Sequence, residues 1–277
     1  MKRLFTPFIL LTLSACTGQK QIDFKVLLKP ETIYDRTNAQ TIETVTTYSG
    51  SQDFSERLKA MGVSNPSKKN KSTRVEMTLS TGKLNSDNHF PLIMKIVDIS
   101  DTITKKYLPV GTSLYGSCTF GNMPVLDSIG INGTDSEIKA TMLKAMQNLF
   151  SQISFPEKVL QIGDTFSKAL PFTMPIAGRT LNMDIITVYK LSSINGNIAT
   201  LDITQNYTMK GTSETDTTYA TTGSGGGKGQ ILYDINNNYY TKYQIDLTMK
   251  AIAKRKDYTL IFSTKSALTQ TSSIVSK

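Results

Sequence analysis

The sequence has little of what metal sites and common hydrolases are built from. It contains no tryptophan, a single histidine (His89) and two cysteines (Cys16 and Cys118). One histidine and one pair of distant cysteines exclude a His/Cys zinc cluster, and the acidic residues are scattered rather than spaced as in a calcium-binding loop. No Gly-x-Ser-x-Gly nucleophile elbow is present. We therefore expect no metal and no cofactor, and the residues favour a non-enzymatic protein over a hydrolase whose site only the fold assembles.

Long apolar runs are also absent, and the clearest short run lies near the N-terminus. The basic pair Lys2-Arg3 precedes Leu4–Leu13, a run of ten residues that is too short to span a bilayer as a helix. The tetrad Leu13-Ser14-Ala15-Cys16 then resembles a bacterial lipoprotein lipobox. It predicts a signal peptide over 1–15, lipidation of Cys16 and a membrane contact through that lipid. We expect a protein anchored to the cell envelope, at the outer membrane and facing the periplasm.

Lipidation of Cys16 would leave Cys118 without a partner for an intramolecular disulfide. A catalytic thiol would need a histidine, and His89 is the sole candidate. Free cysteine is among the most frequently buried residue types. We therefore interpret Cys118 as a small apolar residue in a strand over Leu114–Phe120.

Basic residues outnumber acidic ones by 31 to 22, which gives a formal charge of +9. Loss of Lys2 and Arg3 with the signal peptide leaves 29 basic residues and a charge of +7. Exported proteins seldom meet nucleic acid, so we expect no nucleic-acid partner, and an anionic lipid surface or an acidic glycan suits the charge better. The lysine clusters are predicted to be solvated turns. They are Lys68-Lys69-Asn70-Lys71, Lys105-Lys106 and Lys254-Arg255-Lys256.

The abundant Thr, Ser, Asn, Ile and Tyr favour antiparallel sheet over helix. Apolar and polar residues alternate over unusually long segments, and twisted sheets with such long strands tend to coil. The sequence therefore predicts a mainly β fold, with long curved antiparallel sheets in a half-barrel or barrel-like form. Candidate strands cover about 23–29, 31–48, 72–80, 90–99, 112–120, 181–191, 201–209 and 239–251.

One amphipathic helix is predicted at about 135–153. It opens with the capping-box pattern Thr134-Asp135-Ser136-Glu137, and Pro156 ends it. Its apolar stripe is expected to cover a sheet face or to plug the end of a curved sheet. Behind a lipidated tether at 16–22, residues 23–277 are interpreted as a single β-rich domain, with two sheet halves (23–133 and 155–277) joined by this helix as the alternative. A polar, lysine-rich insertion is predicted from about 50 to 71.

The segment Gly223–Gly229 contains five glycines and invites comparison with a phosphate-binding loop. Thr222 stands where the first glycine of that motif belongs, and an alternating segment, 230–234, follows instead of a helix. We interpret the segment as the start of a strand, or a β-bulge, at which the sheet bends sharply.

Three short matches resemble the Asp-(Ser/Thr)-x signal for O-glycosylation of exported proteins in some Gram-negative lineages. The hydroxyl residues at their centres are Thr102, Ser128 and Thr217. Each is a candidate acceptor, and each is equally compatible with an ordinary hydroxyl at the end of a strand.

Several motifs together resemble an uncharacterised family of Gram-negative (Bacteroidetes-type) lipoproteins of unknown function. They are Tyr115–Cys118, Gly121–Ile129, Phe155–Lys158, Gly163–Phe166 and Gly225–Asp234. The resemblance implies a curved antiparallel sheet with a helix, and it brings no activity with it. That shape is similar to the half-barrels of periplasmic lipid and lipoprotein carriers, by analogy of fold alone.

Two functions follow from these observations. The first is a non-enzymatic lipoprotein that binds a hydrophobic or amphipathic ligand inside a curved sheet, using the apolar faces Leu181/Met183/Ile185 and Tyr243/Ile245/Leu247. The alternative is a module with a closed core whose outer face binds an envelope protein or a glycan.

Overall fold

A computed structural model of the chain describes residues 21–122, 124–131, 135–153, 157–176, 179–212 and 220–277. It contains thirteen strands and three helices in these ranges. The strands are β1 (Gln21–Phe24), β2 (Thr32–Gly50), β3 (Ser67–Thr81), β4 (His89–Ile99), β5 (Ser113–Thr119), β6 (Val125–Gly130), β7 (Lys158–Gln161), β8 (Thr165–Ile176), β9 (Arg179–Asn195), β10 (Ile198–Thr212), β11 (Ala220–Asp234), β12 (Tyr239–Lys254) and β13 (Tyr258–Ser276). The helices are α1 (Gln52–Ala60), α2 (Thr102–Tyr107) and α3 (Ser136–Ile153).

The fold is mainly β, as predicted, and one open antiparallel sheet of eleven strands dominates it. The strand order is β6-β5-β4-β3-β2-β13-β12-β11-β10-β9-β8. The chain runs outward from β2 to one edge, crosses through α3 and β7 to the other edge, and returns to the centre at β13. Strands β2 and β13 pair along almost their whole length, from Thr32↔Ser276 to Gly50↔Tyr258. The N-terminal and C-terminal halves of the sequence therefore share one sheet, and the pairing of β2 with β13 joins them.

The hydrophobic core lies at one end of the long strands, which we call the closed end. There the two-stranded sheet of β1 and β7 packs against the core face of the large sheet. Phe24 of β1 is fully buried, and its ring lies 5.0 Å from the ring of Tyr233 and 5.6 Å from that of Phe166. The Tyr233 hydroxyl donates to the carbonyl of Lys25 at 2.7 Å, which fixes the chain that leaves β1. The opposite end, where β2 leads into α1 and β12 into β13, is the open end.

The predicted alternation over the second half is confirmed. Core-facing residues such as Leu191, Leu201 and Ile245 are buried, whereas the residues between them are half-buried or exposed. This is the pattern of long strands with one dry and one wet face.

The glycine-rich segment lies in the interior of β11, so the prediction of a strand start or a bulge is wrong. Pairing of Gly223–Gly229 with both β10 and β12 is continuous, and the register shift with β12 falls later, between Leu232 and Tyr233. A Cβ on Gly225 would lie 2.2 Å from the carbonyl oxygen of Thr248 and 2.6 Å from the Tyr207 ring. The Tyr207 hydroxyl reaches across β11 and donates to that same carbonyl at 2.6 Å. Side chains of the two neighbouring strands thus fill the space over the glycines, and the strands can approach only because no Cβ intervenes.

The predicted helix is confirmed as α3, which begins one residue later than expected. The Asp135 carboxylate accepts from the backbone N–H of Glu137 at 2.7 Å, so Asp135 caps the helix, while Thr134 lies outside the described residues. The Gln147 side chain accepts from the N–H of Leu126 at 2.6 Å and donates to the carbonyl of Pro124 at 3.2 Å. Helix α3 therefore provides hydrogen-bond partners for backbone groups at the free edge of β6. The other edge strand, β8, contains two prolines, which lack the N–H that would recruit a further strand.

Two shorter helices were not predicted from the sequence. Helix α1 lies inside the region predicted to be a polar insertion, where Ser51 caps it by accepting from the N–H of Phe54 and where Leu58 is buried. The Phe54 ring stacks on Tyr258 with centroids 4.6 Å apart. Helix α2 follows Asp101, whose carboxylate accepts from the N–H of Thr104 at 2.8 Å. Both helices are too short to be stable alone and depend on a cap and tertiary contacts.

Two of the three lysine clusters are not turns, which corrects the prediction. Lys68, Lys69 and Lys71 lie in β3, and Lys105-Lys106 lie in α2. Only the third cluster follows a strand end, at the connection from β12 to β13. One of the β3 lysines, Lys68, forms a cross-strand ion pair with Glu43 of β2 at 2.8 Å.

Candidate functional site

A cavity of about 210 Å³ lies on the core face of the second half of the sheet. Its lining comes from six successive strands, β8 to β13. The lining residues are Lys168, Leu170, Thr187, Tyr189, Gln205, Ile231, Tyr240, Tyr243, Leu268 and Gln270. In a flat sheet with strands about 4.8 Å apart, β8 and β13 would be separated by about 24 Å. A cavity of this size that touches both strands therefore requires a strongly curved sheet.

Most of the cavity wall is apolar or aromatic. Leu170, Ile231 and Leu268 contribute aliphatic surface, and Tyr189 and Tyr243 contribute rings. Burial raises the pKa of Tyr189 to about 12 and also raises the pKa of Tyr243, so both phenols are neutral near pH 7. Such a surface suits the hydrocarbon part of a ligand.

A few polar groups interrupt this wall. The Gln205 amide donates to the hydroxyl of Thr187 at 3.0 Å, and Thr187 is only 2% exposed. Lys168 lines the cavity from the edge strand β8, and burial lowers the pKa of its ammonium group. The lining residues that the structure describes include no Asp or Glu.

One end of the cavity rests on a hydrogen-bonded group that we call the Arg36 cluster: Arg36, Tyr240 and Gln270. Arg36 Nη2 donates to the Tyr240 hydroxyl at 2.8 Å, and Gln270 Nε2 donates to the same oxygen at 2.9 Å. The guanidinium carbon lies 5.9 Å from the centroid of the Tyr240 ring, within the range of a cation–π contact. The ring of Tyr239 stacks on the ring of Tyr240, with centroids 4.7 Å apart. Tyr240 and Gln270 line the cavity, whereas Arg36 does not. Arg36 reaches the cavity only through its hydrogen bond to Tyr240, and with Ser272 it lines a separate hollow of about 440 Å³ that also includes Asp35 and Glu76.

Two buried polar atoms in or beside the Arg36 cluster have no hydrogen-bond partner. Arg36 Nε has no acceptor, and Ser272 Oγ, on the residue paired with Arg36 across β2 and β13, makes no hydrogen bond. Within the described parts of the chain, Arg36 takes part in no ion pair. Asp35, its neighbour in sequence, points to the other face and accepts from Thr78 at 2.7 Å.

The structure brings together only part of the apolar faces that the sequence predicted. Tyr243 lines the cavity, Ile245 is buried in the adjoining core, and Ile185 is half-buried. The side chain of Leu181 lies outside the described set. Sequence reasoning missed Lys168, Gln270 and above all Arg36. Alternation along β2 could have indicated Arg36, because it lies two residues after the fully buried Tyr34 and therefore on the same face of the strand.

Cys118 is buried, as predicted, and its thiol donates to the carbonyl of Asn122 at 3.1 Å. Burial raises the pKa of this thiol to about 11, which suppresses the thiolate. His89 pairs with Thr119 instead, and its Nδ1 lies 3.2 Å from that residue's hydroxyl. Because Cys118 and Thr119 are consecutive in a strand, they face opposite sides of the sheet. No group of three metal-ligating side chains occurs among the residues described.

The modification candidates occupy different surroundings. Thr102 is the first residue of α2 and is exposed, although the aspartate of its motif caps the helix. Ser128 is exposed on β6, opposite Tyr115 of β5. Cys16 and Thr217 lie outside the described residues. In the part of the chain that the structure covers, no helix has the length and apolarity to cross a membrane.

A second hollow, of about 720 Å³, is larger but chemically different. Most of its lining residues occupy the strand positions that alternate with the core-facing ones, and they include Glu43, Asp246 and Lys265. Because charged side chains line the larger hollow and aromatic rings line the smaller cavity, the smaller cavity is the better candidate for an apolar ligand.

Comparisons with known proteins yield structural neighbours alone. No family model matches the chain, and no curated protein matches it. The solved structures include a chain described as "Asymmetric conductivity of engineered proteins", with a TM-score of 0.24, and a triple mutant of the Rh. blastica porin, with a TM-score of 0.25. Each is 7% identical over 86% of this chain and 99% of its own length. Scores this low do not establish a common fold.

Proposed function

We propose that this protein is a non-enzymatic lipoprotein that binds a hydrophobic or amphipathic ligand in its curved sheet. The cavity between β8 and β13 carries the proposal, because its wall is mainly aliphatic and aromatic and is interrupted by a few polar groups. This is the usual composition of a site for a small apolar or amphipathic molecule. The lipid on Cys16 would hold the domain at the periplasmic face of the outer membrane, close to a source of such ligands.

The test is mass spectrometry of organic extracts from a soluble variant that begins at Gln19, expressed in the periplasm and purified without detergent. The Leu268→Trp variant fills the cavity, whereas Ala267→Trp places the same ring on the exposed opposite face. We expect a stoichiometric co-purifying lipid in the wild type and in Ala267→Trp, and its loss from Leu268→Trp. A ligand-free wild-type protein that unfolds cooperatively would contradict the proposal.

The membrane anchor needs its own experiment. Cys16→Ser in the full-length chain is expected to abolish incorporation of radiolabelled palmitate and to release the protein from the membrane fraction, while Cys118→Ser leaves both unchanged. Labelling that persists in Cys16→Ser would contradict the anchor.

A second function is favoured by the apolar side chains on the outer face of the first half of the sheet. Ile93 and Tyr115 are register partners, 46% and 43% exposed, and Val97 and Val125 are 46% and 56% exposed. A module that binds an envelope protein or a glycan would use such a surface. Cross-linking in intact cells distinguishes the two functions, because Tyr115→Ser would remove a cross-linked partner and leave a lipid in the cavity unaffected.

A further inference from the structure

We propose that the ligand is a single-chain amphiphile with a carboxylate head group, and that the Arg36 cluster binds this head. The inference rests on the proposed function and specifies the ligand class of the same cavity. The chain would lie against Leu170, Ile231 and Leu268, and the carboxylate against Tyr240 and Gln270 with the Arg36 guanidinium behind them.

The first reason is the uncompensated charge of Arg36. A guanidinium stays protonated in proteins, so burial cannot neutralise it. Its Nε is buried without an acceptor, and no described carboxylate forms an ion pair with it. The ring of Tyr240 compensates the charge only in part. Arg36 as a whole is half-buried and also lines a hollow of about 440 Å³, so water shields its charge only in part, and an anionic head group nearby would be attracted to it.

The second reason is the sign of the charge around the cavity. Lys168 lines it, and the acidic residues of β9, β10 and β12 occupy positions that alternate with the lining ones. These are Asp184, Asp202 and Asp246. The side chains of a strand alternate between the two faces, so these carboxylates point away from the cavity. The described lining therefore contains one basic side chain, Lys168, and no acidic one.

The third reason is the supply of hydrogen-bond donors. A carboxylate accepts several hydrogen bonds, and charge-assisted ones are the strongest. The cavity offers it the Gln270 amide and the Tyr240 hydroxyl, and Arg36 donates to that hydroxyl from behind. The cavity volume of about 210 Å³ also lies below the roughly 300 Å³ typical of the smallest sites for drug-sized ligands. A single chain with a small head suits this volume better than a two-chain phospholipid.

The test compares three probes of equal chain length by calorimetry below their aggregation thresholds: dodecanoate, dodecanol and dodecyl phosphate. We expect the wild type to bind dodecanoate at least tenfold more tightly than dodecanol. Arg36→Met should weaken the binding of dodecanoate at least tenfold and leave the affinity for dodecanol unchanged. Lys265→Met removes an equal charge from the exposed face and should change neither affinity.

Arg36→Met could fail to fold, so Gln270→Glu provides an independent variant. The new carboxylate would pair with Arg36 and compete with the ligand head, which should abolish dodecanoate binding and spare dodecanol. Equal affinity for dodecanoate and dodecanol would overturn the carboxylate inference and leave the proposed function standing. Tighter binding of dodecyl phosphate would overturn it in favour of a phosphate head. Failure of all three probes, in a protein that also purifies without lipid, would count against the proposed function itself.

Discussion

The closed and open ends of the long strands differ in how their core-facing side chains are buried. At the closed end, β1 and β7 cover the core face, and rings such as those of Phe24, Tyr34 and Tyr233 are fully buried. Towards the open end, the core-facing residues of β2 are mostly polar and half-buried, and α1 provides a small local contact. Interstrand hydrogen bonds continue through both ends, so along β2 the difference lies in apolar burial, although Met209, Ala251 and Ala253 are buried towards the open end of β10 and β12. Apolar burial is the dominant favourable term in folding, and we infer that stability is concentrated at the closed end.

The largest expected effect comes from truncating the same side chain at each end. Phe24→Ala removes a fully buried ring that contacts Phe166 and Tyr233, and it should cost about 3–5 kcal/mol of unfolding free energy. Phe54→Ala removes a half-buried ring stacked on Tyr258, and it should cost about 1 kcal/mol. Urea denaturation followed by circular dichroism measures both. Equal losses at the two ends would contradict the inferred concentration of stability.

A smaller effect is expected at the glycines of β11, which we infer let the sheet curve between the two ends. Gly225→Ala places a methyl group 2.2 Å from a backbone oxygen, and relief of that clash requires the strands to move apart. We expect a loss of about 1–3 kcal/mol, typical of overpacking, together with weaker ligand binding because the cavity depends on the same curvature. Ser224→Ala, one residue earlier and exposed, is the control and should change stability by less than about 0.5 kcal/mol. Unchanged stability of Gly225→Ala would show that the curvature does not depend on the missing Cβ.

The smallest effect concerns Asp101, which caps α2 and forms an ion pair with Lys71 of β3 at 3.2 Å. Hydrogen bonds from Thr104 and the ion pair with Lys71 lower the pKa of Asp101 from 3.8 to about 2. Because the pKa is lower in the folded state, the carboxylate stabilises the fold above about pH 3.8, and this contribution disappears as the pH falls through about 2. Asp101→Asn should therefore be less stable than the wild type at pH 7 and similar to it near pH 2. Thermal melts across this range test the prediction, and a difference that persists at low pH would contradict it.

The fold could be predicted from sequence wherever the pattern was long. The alternation in β9, β10 and β12 and the apolar stripe of α3 each extend over many residues, and the structure confirms the β-rich class and the helix. Helices α1 and α2 have nine and six residues, and their caps and ring contacts outweigh a weak local preference. The lysines of β3 suggested a turn, because the pairing with β2 that keeps them extended is formed by residues distant in sequence.

The candidate site was predictable only in part. The sequence indicated apolar strand faces, but it could not place Arg36 beside Tyr240 and Gln270, which are 204 and 234 residues away along the chain. Gly223–Gly229 looked like an interruption of a strand. It proved to be a strand interior because the neighbouring side chains lie over it.

The sequence by itself determined the alternating strands, the amphipathic helix and the signals that predict an envelope lipoprotein, because each is written in neighbouring residues. The tertiary structure alone decided the strand order, the joining of the two halves through β2 and β13, and the curvature that forms the cavity. Those features arise from hydrogen bonds and packing between residues far apart in the chain. The Arg36 cluster belongs to this second group, since only the folded sheet places a half-buried guanidinium beside an apolar cavity.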